Sequence, residues 1–531
     1  MSGNNMQILI AMAAYLLLSI LIGIFYAKKR NKTTDEYFLG GRGLGAWIAA
    51  MSAEASDMSG WLLMGLPGVA YFTGAGEAVW TAIGLAIGTY VNWRIVSVRL
   101  RKYSQIAGNS ITIPDFFSNR FKDNKKILMT IASIIILVFF SIYVGSQFVT
   151  FGKLFAYVFD TDNYYTVMVI LGAIFVFVYT FLGGFLAESV TDFIQGLLMF
   201  CALLVTVIVC IIKLDSQSIN NLNEIPRFLD IFGIATPLDS AGNTVSAAIG
   251  NQQAVINSKP LFGSGSDYGV LNMLSCLAWG LGYFGMPQVL LRFMAIKTTK
   301  ELKKSRIIAI VWCFISLGAA VAIGLIGRGL MPTELLIPGT SERIFIVLTV
   351  KFFPPLIAGV VLSGILAASM SSSDSYMLIA SSAVSKNLFA KLFRKEATDR
   401  QIMLVARLSL VIITLFGVWV ALSGNETIFS IVSYAWAGLG AAFGPLMLFS
   451  LFWKRTTLPA AIAGMVSGGA MVIIWDQLRN VWGDKVNILN LYELLPAFVI
   501  SCIVIFIVSL LTKEPSDEIQ KEFETMKTAD I

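Results

Sequence analysis

Histidine is missing from all 531 residues of this chain. That removes the side chain most often used to shuttle protons or hold metals near neutral pH. Charge is scarce as well: Asp, Glu, Lys and Arg make up 13% of the sequence, against 56% hydrophobic residues. Soluble domains carry about 25% charged residues, so the composition excludes a soluble enzyme and indicates a polytopic membrane protein. The five cysteines, Cys201, Cys210, Cys276, Cys313 and Cys502, all lie in hydrophobic runs. No CxxC pair occurs, which argues against both a disulfide framework and a zinc site. No GxxxxGK[ST] loop is present either, and this disfavours a transporter driven by its own ATP site. The first apolar run, Gln7 to Tyr26, ends in Lys28-Lys29-Arg30, a stop-transfer flank rather than a cleavage site.

What is present is a series of apolar runs. Read at membrane length, they predict an all-α fold of about 13 transmembrane helices. These start near Gln7, Leu44, Glu77, Lys126, Tyr164, Glu188, Tyr268, Ser305, Pro355, Ile402, Thr427, Pro459 and Leu491. The net charge of +7 is distributed by loop. Clusters such as Lys28 to Lys32, Arg99 to Lys102, Lys297 to Arg306, Lys386 to Arg400 and Lys454-Arg455 follow odd-numbered runs. The short loops between them, Thr73–Gly76, Tyr157–Tyr165 and Ser423–Glu426, have no Lys or Arg. The positive-inside rule then places the N-terminus outside a plasma membrane and the C-terminus in the cytoplasm. The charge is accounted for by topology, and nucleic acid is not needed as a partner. Residues 214–267 are rich in Asn, Ser and Gly and read as an extracellular loop with short helical pieces.

Within the second run, Ala50 to Trp61 holds two carboxylates, Glu54 and Asp57, and three serines, followed by Gly65-Leu66-Pro67-Gly68. An ionisable group at bilayer depth costs about 2.5–3.5 kcal/mol on insertion scales and marks an ion or substrate path by default. The seventh run carries a matching set of helix breakers, Trp279-Gly-Leu-Gly-Tyr283-Phe-Gly-Met-Pro287. Interrupted segments at corresponding places in two halves point to an inverted repeat with its site between them. The chain then divides as 1–42 (first helix and cytoplasmic loop), 43–213 (first repeat), 214–266 (extracellular loop), 267–456 (second repeat), 457–512 (two peripheral spans) and 513–531 (tail). Five spans per repeat invert the second half automatically.

The ninth run supplies hard oxygens. Ala368, Ser371 and Ser372 fall at i, i+3 and i+4, on one helical face. Hydroxyls and freed carbonyls suit sodium without burying excess charge, and this face can oppose the break near Ala55 and Met58. Glu188 and Asp192, at i and i+4 near a membrane boundary, read as solvated carboxylates in preference to a gate. Tyr143, Trp279 and Tyr283 offer apolar walls with a polar handle for a small zwitterion.

At these residues the chain resembles the sodium:solute symporter family. The resemblance rests on Ser56-Asp57-Met58-Ser59-Gly60-Trp61-Leu-Leu-Met-Gly-Leu-Pro67-Gly68, on Trp279 to Pro287, and on Tyr179-Thr-Phe-Leu-Gly183-Gly184-Phe185. It implies a LeuT-type five-plus-five core with broken helices, and symport of sodium with L-proline by alternating access. It implies no enzymatic reaction, no cofactor beyond the co-transported Na+, and no obligatory protein partner. Carried over by motif, Ala55, Met58 and Ala368 would give carbonyls to sodium and Ser371 and Ser372 hydroxyls. Asp57 matches an aspartate critical for coupling. Ser59, Gly60, Tyr143, Trp279, Tyr283 and Pro287 match positions linked to proline binding. Gln147 stands where the family's proline transporters carry Gly, which bears on selectivity. Alternatives are symport of another small solute (pantothenate, sialic acid or a sugar), a non-transporting membrane sensor, or a channel.

Overall fold

The computed structural model describes residues 3–30, 34–159, 164–246, 251–394, 396–424, 427–483 and 485–529, with the side chains of 26–36 left aside. Lys32, Lys395 and Glu426 of the loop-charge pattern lie outside the described residues, as do the side chains of Lys28, Lys29 and Arg30. The chain is mostly helical. Helices α1 (Gly3–Arg30) and α2 (Thr34–Leu39) lead into α3 (Ala46–Gly60), a π-helical turn at Trp61–Gly65, and α4 (Leu66–Thr73). Next come α5 (Ala75–Val91), a second π-helical turn at Asn92–Val96, α6 (Ser97–Ile106) and α7 (Ile113–Arg120). Three long helices follow: α8 (Ile127–Val158), α9 (Tyr165–Leu182) and α10 (Phe185–Lys213).

A loop opens with α11 (Ser216–Asn223), after which α12 (Val270–Ala278) passes through a 3-10 stretch at Trp279–Phe284 into α13 (Pro287–Ala295). Then come α14 (Thr299–Leu330), α15 (Ile344–Phe352), α16 (Pro355–Ser382), α17 (Asp399–Leu422) and α18 (Ile428–Phe452). The series ends with α19 (Leu458–Trp482), α20 (Leu494–Leu511) and α21 (Asp517–Thr528).

Ten of these helices are long and apolar enough to cross a membrane, or 11 if the bent pair α12 and α13 is one span. The count of 13 is therefore not reached. The two expected spans that fall short start near Leu44 and Glu77, and each has a physical reason. The first is split at Ser59 into α3 and α4, and the second passes through a π-helical turn into the charged α6. Elsewhere the exterior is apolar: Leu21, Ile412 and Leu511 are 64%, 66% and 80% exposed. Such faces are stable only against lipid, and the chain is a multi-pass membrane protein. The apolar windows of α16 and α18 are 83% buried against 28% for α1, which puts α16 and α18 at the centre and α1 at the rim.

Small residues let the broken segments approach. A Cβ on Gly280 would lie 2.3 Å from the Gly84 carbonyl, and one on Gly88 would lie 2.4 Å from the Gly280 carbonyl. No side chain fits between α5 and the 3-10 stretch, as expected where membrane helices pack by close backbone contact.

The loop before α12 keeps one of its expected helical pieces, α11, and adds short strands. Beyond α11 it holds β1 (Gly233–Ile234) paired with β4 (Ser266–Asp267), and β2 (Val255–Ile256) paired with β3 (Lys259–Pro260), both antiparallel. Asp239 organises its central turn. Its carboxylate accepts the N–H groups of Ala241 and Asn243, both at 2.9 Å, and the Asn251 amide at 2.7 Å. These donors hold the Asp239 carboxyl at about 2, below the ordinary 3.8. A depressed value stabilises the fold fully above the ordinary carboxylate range, and that contribution is lost as pH falls through about 2. We expect Asp239→Ala to make residues 236–263 several-fold more sensitive to protease at pH 7, whereas the unaltered loop loosens only near pH 2. Arg328, fully buried on α14, fixes the loop from below. It stacks on Tyr71 at 4.8 Å and Phe262 at 5.0 Å and donates to the Gln253 side chain at 2.8 Å.

At the opposite face α21 lies against α6 and α7. Phe523 and Met526 are buried there, with Phe523 6.2 Å from the Tyr103 ring and beneath the Arg120 guanidinium at 5.6 Å. Lys122 pairs with Glu518 and Glu522. These carboxylates raise its pKa above the ordinary lysine value, although burial opposes them.

Candidate ion and substrate site

The interruption in the second expected span is sharp and sits at Ser59, whose φ of 53° and ψ of −172° leave the helix. A non-glycine residue in that region, which is otherwise nearly confined to glycine, costs about 1–3 kcal/mol, so surrounding bonds must hold it. The Ser59 hydroxyl accepts the Trp61 N–H at 3.2 Å. The Gly60 N–H donates to the Gln147 side-chain oxygen at 3.1 Å. Gly60 must lack a side chain, because a Cβ would stand 2.5 Å from the Thr150 hydroxyl. Gln147 and Thr150 share one face of α8 with Tyr143, so a single helix lines the break.

Helix α16 meets α3 just before this point. The Ser371 hydroxyl donates to the Ala55 carbonyl at 2.8 Å and to Ala368 at 3.1 Å. The Ser372 hydroxyl donates to Ser56 at 3.1 Å and to Ala55 at 3.4 Å. Ala55, Ala368, Ser371 and Ser372 are thus brought together, and all are fully buried. Met58 does not share these contacts: its carbonyl accepts the Trp61 N–H across the break. Asp57 faces the other half of the molecule, where the Gln288 side chain of α13 donates to it at 3.2 Å.

The aromatic residues close the site on the side of the loop. Trp61 lies 5.4 Å from Trp279, and both contact Phe429, at 6.0 and 5.2 Å. Tyr492 stacks on Trp279 at 5.3 Å. Tyr283 packs edge-on against Trp436 at 5.2 Å, and its hydroxyl has no hydrogen-bond partner among the described residues. Tyr143 lies 4.4 Å from Tyr376 of α16. Pro287 occupies the first turn of α13, where its missing N–H costs nothing and its ring restarts the helix. Phe429 and Tyr376 escape a reading by motif because an aromatic in an apolar run has no local mark, and Trp61 stands inside the motif without a role being assigned to it.

Toward the face of α21, Glu188 and Asp192 are not solvated, as their position had suggested. Both are 1% exposed and surround Arg292 of α13, itself fully buried. Arg292 pairs with Glu188, donates to Asp192 at 3.1 Å and Ser375 at 2.8 Å, and reaches Ser52 at 3.0 Å through Nε. Ser52 in turn donates to Asp192 at 2.7 Å, and Ser375 to Glu188. Their cationic partner is distant in sequence: the Arg292–Glu188 bond spans 104 residues. The network joins α3, α10, α13 and α16 one helical turn from the serine and carbonyl cluster.

A broken helix crossing a continuous one at buried hard oxygens, beside a second broken helix and inside an apolar shell, has the make-up of a cation-coupled membrane transporter. Residues 37–468 match the model described as the sodium:solute symporter family, and the chain belongs to that family. Among curated relatives, the sodium/proline symporters of Staphylococcus aureus strains USA300 / TCH1516 and JH9 are each 39% identical over 527 residues. The match covers 98% of this chain and 96% of each relative. Among solved structures, a substrate-bound, outward-open Na+-coupled sialic acid symporter matches with a TM-score of 0.72. It is 19% identical and the match covers 96% of this chain and 99% of that one, so the likeness speaks for the fold alone.

Proposed function

We propose that this protein imports L-proline with sodium by alternating access, through a LeuT-type core of two inverted five-helix repeats. On this reading 13 segments cross the plasma membrane: α3 with α4, and α5 with α6, each cross as interrupted spans. The N-terminus lies outside and α21 lies in the cytoplasm. The observation that carries the reading is the crossing of α3 and α16. Two hydroxyls and the carbonyls of Ala55 and Ala368 stand within hydrogen-bond distance of one another without a charged side chain between them. A sodium ion would draw the same oxygens inward, with Met58 joining as α3 adjusts and Asp57 attracting the ion. Oxygen-only coordination without full charge neutralisation suits a monovalent ion that must also leave.

Proline would bind at the adjacent breaks, with Ser59 and Gly60 on one side and Tyr143, Trp279, Tyr283 and Pro287 forming walls. The substrate is taken from the 39% identity over nearly the whole chain to sodium/proline symporters. Coupling requires that each ligand tighten the other by the same factor. An inward-negative potential of 100 mV adds about 2.3 kcal/mol per translocated charge.

A sodium jump at fixed pH, with radiolabelled proline outside proteoliposomes of the purified protein, tests the proposal directly. Uptake that ignores sodium, or that pantothenate, sialic acid or a sugar inhibits in place of proline, would reject it. Trp279→Ala should raise the proline concentration for half-maximal uptake by about 10- to 150-fold, since one buried aromatic wall is worth about 1.5–3 kcal/mol. A fall in protein level with unchanged half-saturation would make Trp279 a packing residue only.

A further inference from the structure

The break at Ser59 frees backbone N–H groups inside the protein, and each must find an acceptor or bear the cost of burial. The Trp61 N–H is satisfied within its own segment, by Met58, Ser59 and the Ser59 hydroxyl. The Gly60 N–H is not. Its acceptor is the side-chain oxygen of Gln147 at 3.1 Å, from another helix 87 residues away. Gln147 is fully buried, and its amide nitrogen donates to the Ser146 hydroxyl at 2.8 Å. That hydroxyl donates to the Tyr143 carbonyl at 2.7 Å. The carboxamide is thus aimed at the break from the same face of α8 that carries Tyr143.

A carboxylate accepts such an N–H more strongly than an amide does, because a charged acceptor makes a hydrogen bond roughly twice as strong. It also benefits from the positive end of the half-helix that begins after the break. We propose that Gln147 is a built-in competitor for the substrate's carboxylate. Its amide oxygen satisfies the Gly60 N–H in the absence of substrate and yields to a carboxylate that pairs better. The inference rests on the reading that a small amino acid binds at this break. It adds a residue that sets apparent affinity and selects for a free carboxylate. A solute lacking that group gains too little at Gly60 to displace the amide.

Two substitutions should act in opposite directions, which misfolding alone would not produce. Gln147→Ala removes the competitor, and the half-saturating proline concentration should fall roughly three- to tenfold, the worth of one neutral hydrogen bond. Gln147→Glu places a tethered carboxylate at the same N–H and should raise it by more than tenfold. Equilibrium binding of labelled proline to detergent-purified protein, with pyrrolidine as a carboxylate-free competitor, provides a second readout. Proline should bind Gln147→Ala more tightly, while competition by pyrrolidine stays within twofold of the unaltered protein. Weaker proline binding in Gln147→Ala would mean that Gln147 holds the substrate directly, and would overturn the proposal. So would a change of less than twofold in both variants, or equal gains for proline and pyrrolidine. If the unaltered protein binds no proline in sodium, the substrate reading fails first and this inference fails with it.

Discussion

Arg292→Gln should abolish sodium-driven uptake and remove about 3–5 kcal/mol of stability, the usual cost of stripping one partner from a buried ion pair. The reason is the imbalance it leaves. Glu188 and Asp192 are each 1% exposed, and Arg292 is the guanidinium that contacts both. Without it, two carboxylates would face each other in a medium that solvates neither. Glutamine keeps a hydrogen-bond donor toward Ser52 and Ser375 but neutralises nothing. Thermal unfolding in detergent checks the stability, and a wild-type transition in Arg292→Gln would refute the assignment. A triple variant, Arg292→Gln with Glu188→Gln and Asp192→Asn, should recover most of the lost stability, because a buried charge set removed whole is often nearly neutral. If the triple variant also regained uptake, the network would be dispensable for transport.

Losing both Ser371 and Ser372 to alanine should raise the sodium concentration for half-maximal uptake by well over tenfold. A hydrogen-bonding group that serves a charged partner contributes about 1.5–3 kcal/mol, so either single change should cost roughly tenfold or more. Both hydroxyls now rest on carbonyls of α3, and alanine deletes them without adding bulk. Ser373→Ala is the matched control. Its hydroxyl turns back onto the Ser369 carbonyl at 2.6 Å, within its own helix, and should leave sodium dependence unchanged. Uptake measured across a sodium series at constant ionic strength decides the matter. Equal effects from Ser372 and Ser373 would remove the basis for the ion site.

The serine face could be read from the sequence because its information is local: helical spacing alone sets Ala368, Ser371 and Ser372 side by side. The interruption near Gly60 was legible for the same reason, since small residues and carboxylates are conspicuous in an apolar run. The exact break falls at Ser59, just after Met58, and Gly60 is needed for its closeness to Thr150 rather than for an unusual φ. Arg292 was not legible. It lies inside Pro-Gln-Val-Leu-Leu-Arg-Phe-Met-Ala, and only the crossing of four helices shows that it answers Glu188 and Asp192. Length and hydropathy alone recover 10 or 11 spans, and the difference from 13 falls where polarity and breaks interrupt α3, α4, α5 and α6. The turn that Asp239 holds through Ala241, Asn243 and Asn251 was not legible either, because it depends on a side-chain acceptor that periodicity does not register.

The seat of α21 bears on how the protein is made. Lys122 and Glu522 are 400 residues apart, so the groove between α6 and α7 emerges from the ribosome long before the helix that fills it. During that interval Tyr103 and Arg120, both fully buried in the finished fold, have neither Phe523 nor Met526 over them. At 5–20 residues per second the wait is about 20–80 seconds. A nascent chain therefore carries an aromatic and cationic mark of incompleteness on the face of α6 and α7, erased only when residues 517–528 arrive. Membrane proteases and chaperones that survey exposed apolar surface would find their signal there.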